Sequence, residues 1–368
     1  MLIARSVERL EPYVPGEQPK SKDVVKLNTN ENPYPPTPKC SEVLANFDLD
    51  KLRRYPDPEF VELRKAIAAR NGCDISRVFV GNGSDEILAL AAKAFVENDG
   101  AIASLDPSYS LYKTLAAIRD VPWRSLQFGV CSLQGQEQAG VDSHDALRGA
   151  GCATANCKLP TANLFLWTNP NAPTGEFVEP EKISEFAKSF DGVVIVDEAY
   201  ADFARANCMA LATAADNRNV IVMRTFSKSY SLAGLRVGYC VGPEDLIAAL
   251  YKVKDSYNVD AIAQAVALAA YNDHEWMTAN AEKIKATRRA FTAELERRGW
   301  DVIPSESNFV FARPPSPMTA EGLFAYLKTR NIYVRYFKGP LTGDRLRITI
   351  GTDEQMKTLL EALDASYK

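Results

Sequence analysis

The chain has 368 residues, 46% hydrophobic and 24% charged, an ordinary globular balance with room for more than one folding unit. A net charge of −4 argues against a nucleic-acid-binding surface, and no apolar run reaches the roughly 20 residues that span a bilayer. Seven cysteines without a C-x-x-C pair exclude a disulfide framework and a zinc ribbon, and two histidines give poor support to a histidine metal site or a Ser-His-Asp triad. Cys152 and Cys157, the closest pair, read as loop thiols. The N-terminal "MLIARSVERLEP" carries charges too early for a secretory signal, so a soluble, cytoplasmic protein is expected.

Residues 1–52 are proline-rich and irregular around "NTNENPYPPTPKC" and read as an arm. A helix is expected over 57–72, where Phe60, Leu63, Ile67 and Ala68 recur at helical spacing and Gly72 stops the pattern. Short apolar strands then alternate with helical stretches such as 84–97 and 180–190. The strands lie in "VFVGNGSDE", "AIASLDPSYS", "LFLWTNPNAPTG", "GVVIVDEAYADF", "NVIVMRTFSKSY" and "RVGYCVG". That rhythm predicts an α/β unit over 53–260 with a largely parallel sheet covered on both faces. Residues 261–300 read as helical. Beyond them "SNFVFARP", "IYVRYF" and "LRITIGT" read as strands with a helix over 319–330, giving a smaller α+β unit over 261–368 that packs with the arm.

Open α/β sheets bind ligands outside the carboxyl ends of their strands. The residues at those ends are Gly83, Ser84 and Asp85, then Tyr109, Asn169, Asp197 with Tyr200, and Ser227 with Lys228. Each has an ordinary reading when taken alone. Ser84 is a good N-cap, Asn169-Pro170 is a turn signal, Asp197 can be a solvated acid, Lys228 a surface lysine and Arg236 an ion-pair partner. The glycines match neither G-x-G-x-x-G nor a Walker A loop, which removes a dinucleotide-binding oxidoreductase. Together the residues fit pyridoxal 5′-phosphate. Lys228 supplies the amine that carries the cofactor. Asp197 keeps the ring nitrogen protonated. The helix start at Gly83–Asp85 and Arg236 neutralise the phosphate. Asn169 and Tyr200 bond the phenolic oxygen, and Tyr109 stacks on the ring.

At this point the chain resembles the class I/II aminotransferases of fold type I, and within them the histidinol-phosphate aminotransferases. The resemblance rests on "LEPYVPGE", "KLNTNENPYPPTP", "RRYPDPEFVELRKAIA", "VGNGSDEIL", "DPSYSLY", "TNPNAPTG", "VDEAYADF", "RTFSKSYSLAGLRVGY", "SNFVFAR" and "LRITIGT", spread over nearly the whole length. It implies a homodimer with shared active sites, in which the partner's Tyr55 reaches the cofactor phosphate. It adds Ser227 to the phosphate cradle. It further implies Arg347 and Arg335 as the substrate arginines, with Tyr13 and Asn32 from the arm as substrate contacts. Three departures stand out: Ala172 where a second Asn is usual, Ser231 where Gly is usual, and Ser256 and Asp260 where Pro and Asn are common. Asp260 is expected near the substrate channel.

The implied reaction is transamination between L-histidinol phosphate and 2-oxoglutarate, giving imidazole acetol phosphate and L-glutamate, in histidine biosynthesis. Lys228 acts as general base and acid. Alternatives are an aromatic amino-acid aminotransferase and a threonine-phosphate decarboxylase of the same fold. A non-catalytic, cofactor-sensing regulator is disfavoured, because only about 50 irregular residues precede the sheet and no helix-turn-helix segment is found.

Overall fold

The computed structural model describes residues 2–3, 5–8, 10, 16–19, 23–127, 162–216 and 218–366. Tyr13, His144, Cys152 and Cys157 lie outside the described residues. The arm contributes one short strand, β1 (Val25–Lys26). The central sheet is built from β2 (Val78–Gly81), β3 (Ile102–Asp106), β4 (Trp123–Gln127), β5 (Leu164–Thr168), β6 (Val193–Asp197), β7 (Val220–Thr225) and β8 (Gly238–Val241), in the spatial order β2-β8-β7-β6-β5-β3-β4. All neighbours pair in parallel except β8, which is antiparallel to both β7 and β2. Six strands therefore point the same way, and their carboxyl ends share one edge.

Side-chain alternation explains why the central strands read as unbroken apolar runs. Phe165, Trp167, Val194, Val196, Val220 and Val222 feed the core on one face. Leu164, Leu166, Ile195, Ile221 and Met223 feed the core on the other. Helices Ser84–Phe95, Leu111–Arg119 and Glu244–Val253 present buried apolar residues to the second core. A strand buried on both faces gains from every side chain, at about 2 kcal/mol per large aliphatic residue buried. β4 is a strand that the apolar-run pattern does not predict. It lies at the sheet edge, and its sequence WRSLQ is only partly buried, so it lacks the apolar run that marks its neighbours.

The helix expected over 57–72 is Val61–Asn71. Gly72 ends it at φ +62°, its N–H bonded to the carbonyls of Ala68 and Ala69, a left-handed cap that glycine adopts without strain. The helical region 261–300 is two helices, Ala261–Asn272 and His274–Arg297, broken at Asp273. Asp260 does not line the cleft described below. Its carboxylate caps the first of these helices by accepting from the Ala263 N–H at 2.8 Å, which explains an acid at this position.

A second sheet holds β9 (Asp301–Ile303), β10 (Phe309–Arg313), β12 (Arg335–Tyr336) and β13 (Leu346–Thr349) in the order β12-β13-β10-β9, all antiparallel. β11 (Ile332–Tyr333) pairs in parallel with β1 of the arm. The segment that follows β1 is tied to the second sheet at Leu27 and at Asn30. Thr349 N–H bonds Leu27 O at 3.0 Å, and Asn308 Nδ2 bonds Asn30 O at 3.0 Å. These ties carry residues 28–32 across the carboxyl edge of the central sheet.

Candidate active site

A cleft of about 480 Å³ opens where the carboxyl edge of the central sheet meets the arm and the second sheet. Ser84, Asp85, Tyr109, Asp197, Tyr200, Ser227, Lys228, Arg236, Arg335 and Arg347 all line it.

One end is a cradle of backbone and cationic groups. Helix Ser84–Phe95 begins there with Gly83 as its cap and no side-chain capping bond, so its first N–H groups face the cleft. Ser84 is thus the first helical residue, not the cap. Gly83 sits at φ +82°, and a Cβ there would lie 2.7 Å from the Arg236 guanidinium. A Cβ on Gly238 would lie 2.6 Å from the Ser84 backbone nitrogen. Two glycines therefore let β8, the helix start and Arg236 close on one another. Arg236 Nη1 donates to Ser227 Oγ at 3.4 Å, and Nη2 pairs with Asp85 Oδ2 at 3.2 Å. Tyr109 OH donates to Asp85 Oδ1 at 3.3 Å. The Asp85 carboxylate is thus taken up by Arg236 and Tyr109. An anion in the cradle would meet the backbone N–H of residue 85 and not its side chain.

Asp197 ends β6 with 4% exposure. Its Oδ1 accepts from Ala199 N–H at 3.1 Å, and its Oδ2 from Tyr112 OH at 2.9 Å. Burial raises its pKa to about 6, against the pull of the Tyr112 and Ala199 bonds. No cation lies within ion-pair distance of it among the described residues. A buried carboxylate facing a cleft in this way is a ready seat for a cationic ligand atom. Tyr112, which also bonds Thr168 Oγ1 at 2.6 Å, orients it and lies outside the residues that the sequence marks. As an apolar-face tyrosine in "SYSLYKTL", it has no sequence signature apart from ordinary packing.

Lys228 Nζ donates to Thr29 O at 3.2 Å and lies 5.8 Å from the centre of the Tyr200 ring. No carboxylate pairs with it among the described residues, so the amine is held by a neutral carbonyl. Asn32 secures the same loop, with Nδ2 donating to the carbonyls of Lys228 and Ser229, both at 3.1 Å.

Three expected side chains do not line this chain's cleft. Asn32 is spent on that backbone and, through Oδ1, on Tyr34 N–H. Asn169 is 1% exposed; its Nδ2 donates to Val178 O at 2.9 Å and its Oδ1 accepts from Val178 N–H at 2.9 Å. Ala172 and Pro173 line the cleft instead. Tyr55 lies outside this chain's own cleft. It is 80% exposed and stacks on Tyr257 with ring centres 4.4 Å apart.

The far wall is cationic. Arg335 and Arg347 sit directly opposite each other on β12 and β13. Both guanidinium groups lie over Phe337, at 5.2 and 5.1 Å, and Arg347 also donates to Asn28 O at 3.0 Å. Like charges directly across a strand pair are unfavourable, and an anion between them removes the penalty. Lys338, absent from the sequence expectation, adds a third cation to this wall. It sits in the loop after β12, where one lysine carries no pattern. The site can thus hold an anion at each end, a buried acid and a free amine between them.

The sequence model described as "Aminotransferase class I and II" matches residues 22–363. Histidinol-phosphate aminotransferase of Acetobacter pasteurianus is 42% identical over 97% of this chain and 95% of its own length. Histidinol-phosphate aminotransferase 2 of Rhizobium meliloti strain 1021 is 44% identical over 97% of each. Among solved structures, histidinol-phosphate aminotransferase from Sinorhizobium meliloti in complex with pyridoxal-5'-phosphate superposes with a TM-score of 0.83 at 23% identity, covering 98% of this chain and 96% of that one. The chain belongs to the class I and II aminotransferases.

Proposed function

We propose that this aminotransferase uses pyridoxal 5′-phosphate to move the amino group of L-histidinol phosphate to 2-oxoglutarate, giving imidazole acetol phosphate and L-glutamate in histidine biosynthesis. The observation that carries the donor is the like-charged Arg335–Arg347 pair with Lys338 beside it, a wall suited to a phosphomonoester dianion. Near-full-length relatives at 42% and 44% identity that bear the histidinol-phosphate name support the same reading.

The residues fit the cofactor. Gly83 and Gly238 leave the space a phosphate cradle needs, and the N–H groups of Ser84 and Asp85, Ser227 Oγ and Arg236 are its donors. Asp197 supplies the negative charge for the ring nitrogen. Tyr200 would bond the phenolic oxygen, and Tyr109 would pack against the ring. Bound here, the cofactor supplies a carbonyl that condenses with amines and a ring that takes up the electron pair released at Cα.

In this reading Lys228 is the covalent anchor. Its Nζ would hold the cofactor and, within the cleft, would move the proton at the donor's Cα. The Thr29 carbonyl holds it without a competing carboxylate. Arg335, Arg347 and Lys338 fix the donor's anionic end, and Phe337 seats the two guanidinium planes. The acceptor's carboxylates use the same cations in the second half of the cycle.

The partner's Tyr55 completes the phosphate end in a homodimer. Support comes from the exposure of Tyr55 and of Leu49 and Leu52 nearby in sequence, at 71% and 50%. No helix among the described residues is long and apolar enough to cross a membrane. The four described cysteines are free thiols, as a reducing cytoplasm would keep them.

The test is a half-reaction without acceptor. Holoenzyme is mixed in turn with L-histidinol phosphate, L-phenylalanine and L-threonine phosphate, and the cofactor's visible absorbance is followed. Rapid bleaching with histidinol phosphate alone is expected. A preference for phenylalanine would make the enzyme an aromatic aminotransferase. Release of carbon dioxide from threonine phosphate would make it a decarboxylase.

A further inference from the structure

We propose that Asn30, in the arm segment "LNTNEN", is a positioning residue that holds Tyr200 as a hydrogen-bond donor into the cleft. The inference rests on the cofactor reading above and adds to it a residue that touches neither cofactor nor substrate.

Asn30 is 1% exposed and takes the left-handed conformation at φ 56°. Both of its backbone polar groups are tied down. Its N–H donates to Thr349 Oγ1 at 3.0 Å, and its carbonyl accepts from Asn308 Nδ2 at 3.0 Å. Its side-chain oxygen accepts from the Thr349 hydroxyl at 2.9 Å, which leaves Nδ2 to donate to Tyr200 OH at 2.9 Å. The reverse amide orientation would leave the Thr349 proton, on a residue 2% exposed, without an acceptor among the described residues. The Tyr200 oxygen therefore accepts from Asn30, and its own proton is free to point into the cleft. Phe309 packs edge-on against the Tyr200 ring, with centres 5.1 Å apart, and limits its rotation.

This matters because the other residue expected at the phenolic edge, Asn169, is committed to Val178 at both ends. Tyr200 is then the one donor of that pair that lines the cleft. A donor that is itself receiving a hydrogen bond is polarised and donates more strongly. The charged groups that line the cleft are Glu31, Asp85, Asp197, Lys228, Arg236, Arg335, Lys338 and Arg347; Glu31 is paired with Lys26 and Asp85 with Arg236. Asn30 adds no charge to them. Its effect passes only through the Tyr200 hydroxyl.

The experiment is a pH titration of the bound cofactor's absorbance in holoenzyme, for the unaltered chain, Asn30→Ala, Asn30→Asp, Tyr200→Phe and Asn30→Ala/Tyr200→Phe. Asn30→Ala is expected to raise the observed pKa by about one unit, in the same direction as Tyr200→Phe. In the Tyr200→Phe background it should add almost nothing. Asn30→Asp should shift the pKa at least as far, because a carboxylate there captures the tyrosine proton. Thr349→Val, which frees the amide to turn, should give a smaller shift in the same direction and serves if the Asn30 variants fold poorly. An equal Asn30→Ala shift with and without the Tyr200 hydroxyl would overturn the proposal, and so would no shift at all in folded protein. If the unaltered protein shows no cofactor absorbance, the functional reading fails first and takes this inference with it.

Discussion

Asp197 shows how one residue ties chemistry to stability. Its folded pKa of about 6 stands above an ordinary carboxyl near 3.8, and burial is the main cause. A raised acid pKa means that ionisation is disfavoured in the folded state. The penalty is absent below about pH 4, grows as pH rises through 6, and then levels at on the order of 3 kcal/mol. A cationic ring nitrogen would cancel it. Asp197→Asn apoenzyme should therefore unfold at a higher denaturant concentration than unaltered apoenzyme at pH 8, and the gap should close at pH 4. In the presence of cofactor the order should reverse, and turnover should fall by several orders of magnitude. Urea unfolding of both forms at pH 4, 6 and 8 checks the sign. On the opposite wall, Lys338 is exposed, so screening limits its value. Lys338→Gln should raise KM for histidinol phosphate by about five-fold and leave kcat nearly unchanged. A larger loss in kcat than in KM would assign the lysine to the chemical step instead.

At the scale of elements, the cradle depends on backbone approach. Gly83→Ala brings a Cβ against Arg236 and forces a side chain into φ +82°. It should weaken cofactor binding by at least about ten-fold, read by fluorescence titration, at a stability cost of about 1–2 kcal/mol. Ser231 is the opposite case, a non-glycine residue at φ 61° in the loop after Lys228, at a position where the family resemblance leads to an expectation of glycine. Ser231→Gly should stabilise the fold by about 1 kcal/mol, measured by urea unfolding, because glycine adopts that conformation without penalty. These cases show what the sequence could and could not reveal. Strands buried on both faces announce themselves as apolar runs, and the polar residues that follow them mark the ligand edge. The direction of β8 is invisible, because GYCV reads the same in either orientation. Asn32 and Asn169 look like ligand contacts in sequence, since an amide that ties down backbone is spelled like one that binds a cofactor. Tyr112 and Asn30 act through partners 85 and 170 residues away, which no local pattern encodes.

For the whole molecule, the decisive question is whether one chain makes a complete site. The described cleft has its amine, its acid and its cations from a single chain, yet Tyr55 does not line it and is exposed, as are Leu49 and Leu52 nearby in sequence. Burying Tyr55, Leu49 and Leu52 against a second copy would remove apolar surface from water at roughly 25 cal/mol per Å² and bring each Tyr55 toward the other cleft. Two inactive variants then become informative together. Lys228→Ala lacks the anchor, and Tyr55→Ala lacks the group given to the partner. In a mixed dimer, one site carries both lesions and the other carries neither. Unfolding, mixing and refolding the two variants at equal concentration should restore about a quarter of the unaltered activity, since half the dimers are mixed and each holds one intact site. Sedimentation equilibrium on the same sample gives the mass. Recovery of activity with a dimer mass establishes shared sites. A dimer that recovers nothing beyond the sum of its parents means that each chain works alone, and Tyr55 then serves only to hold the two together.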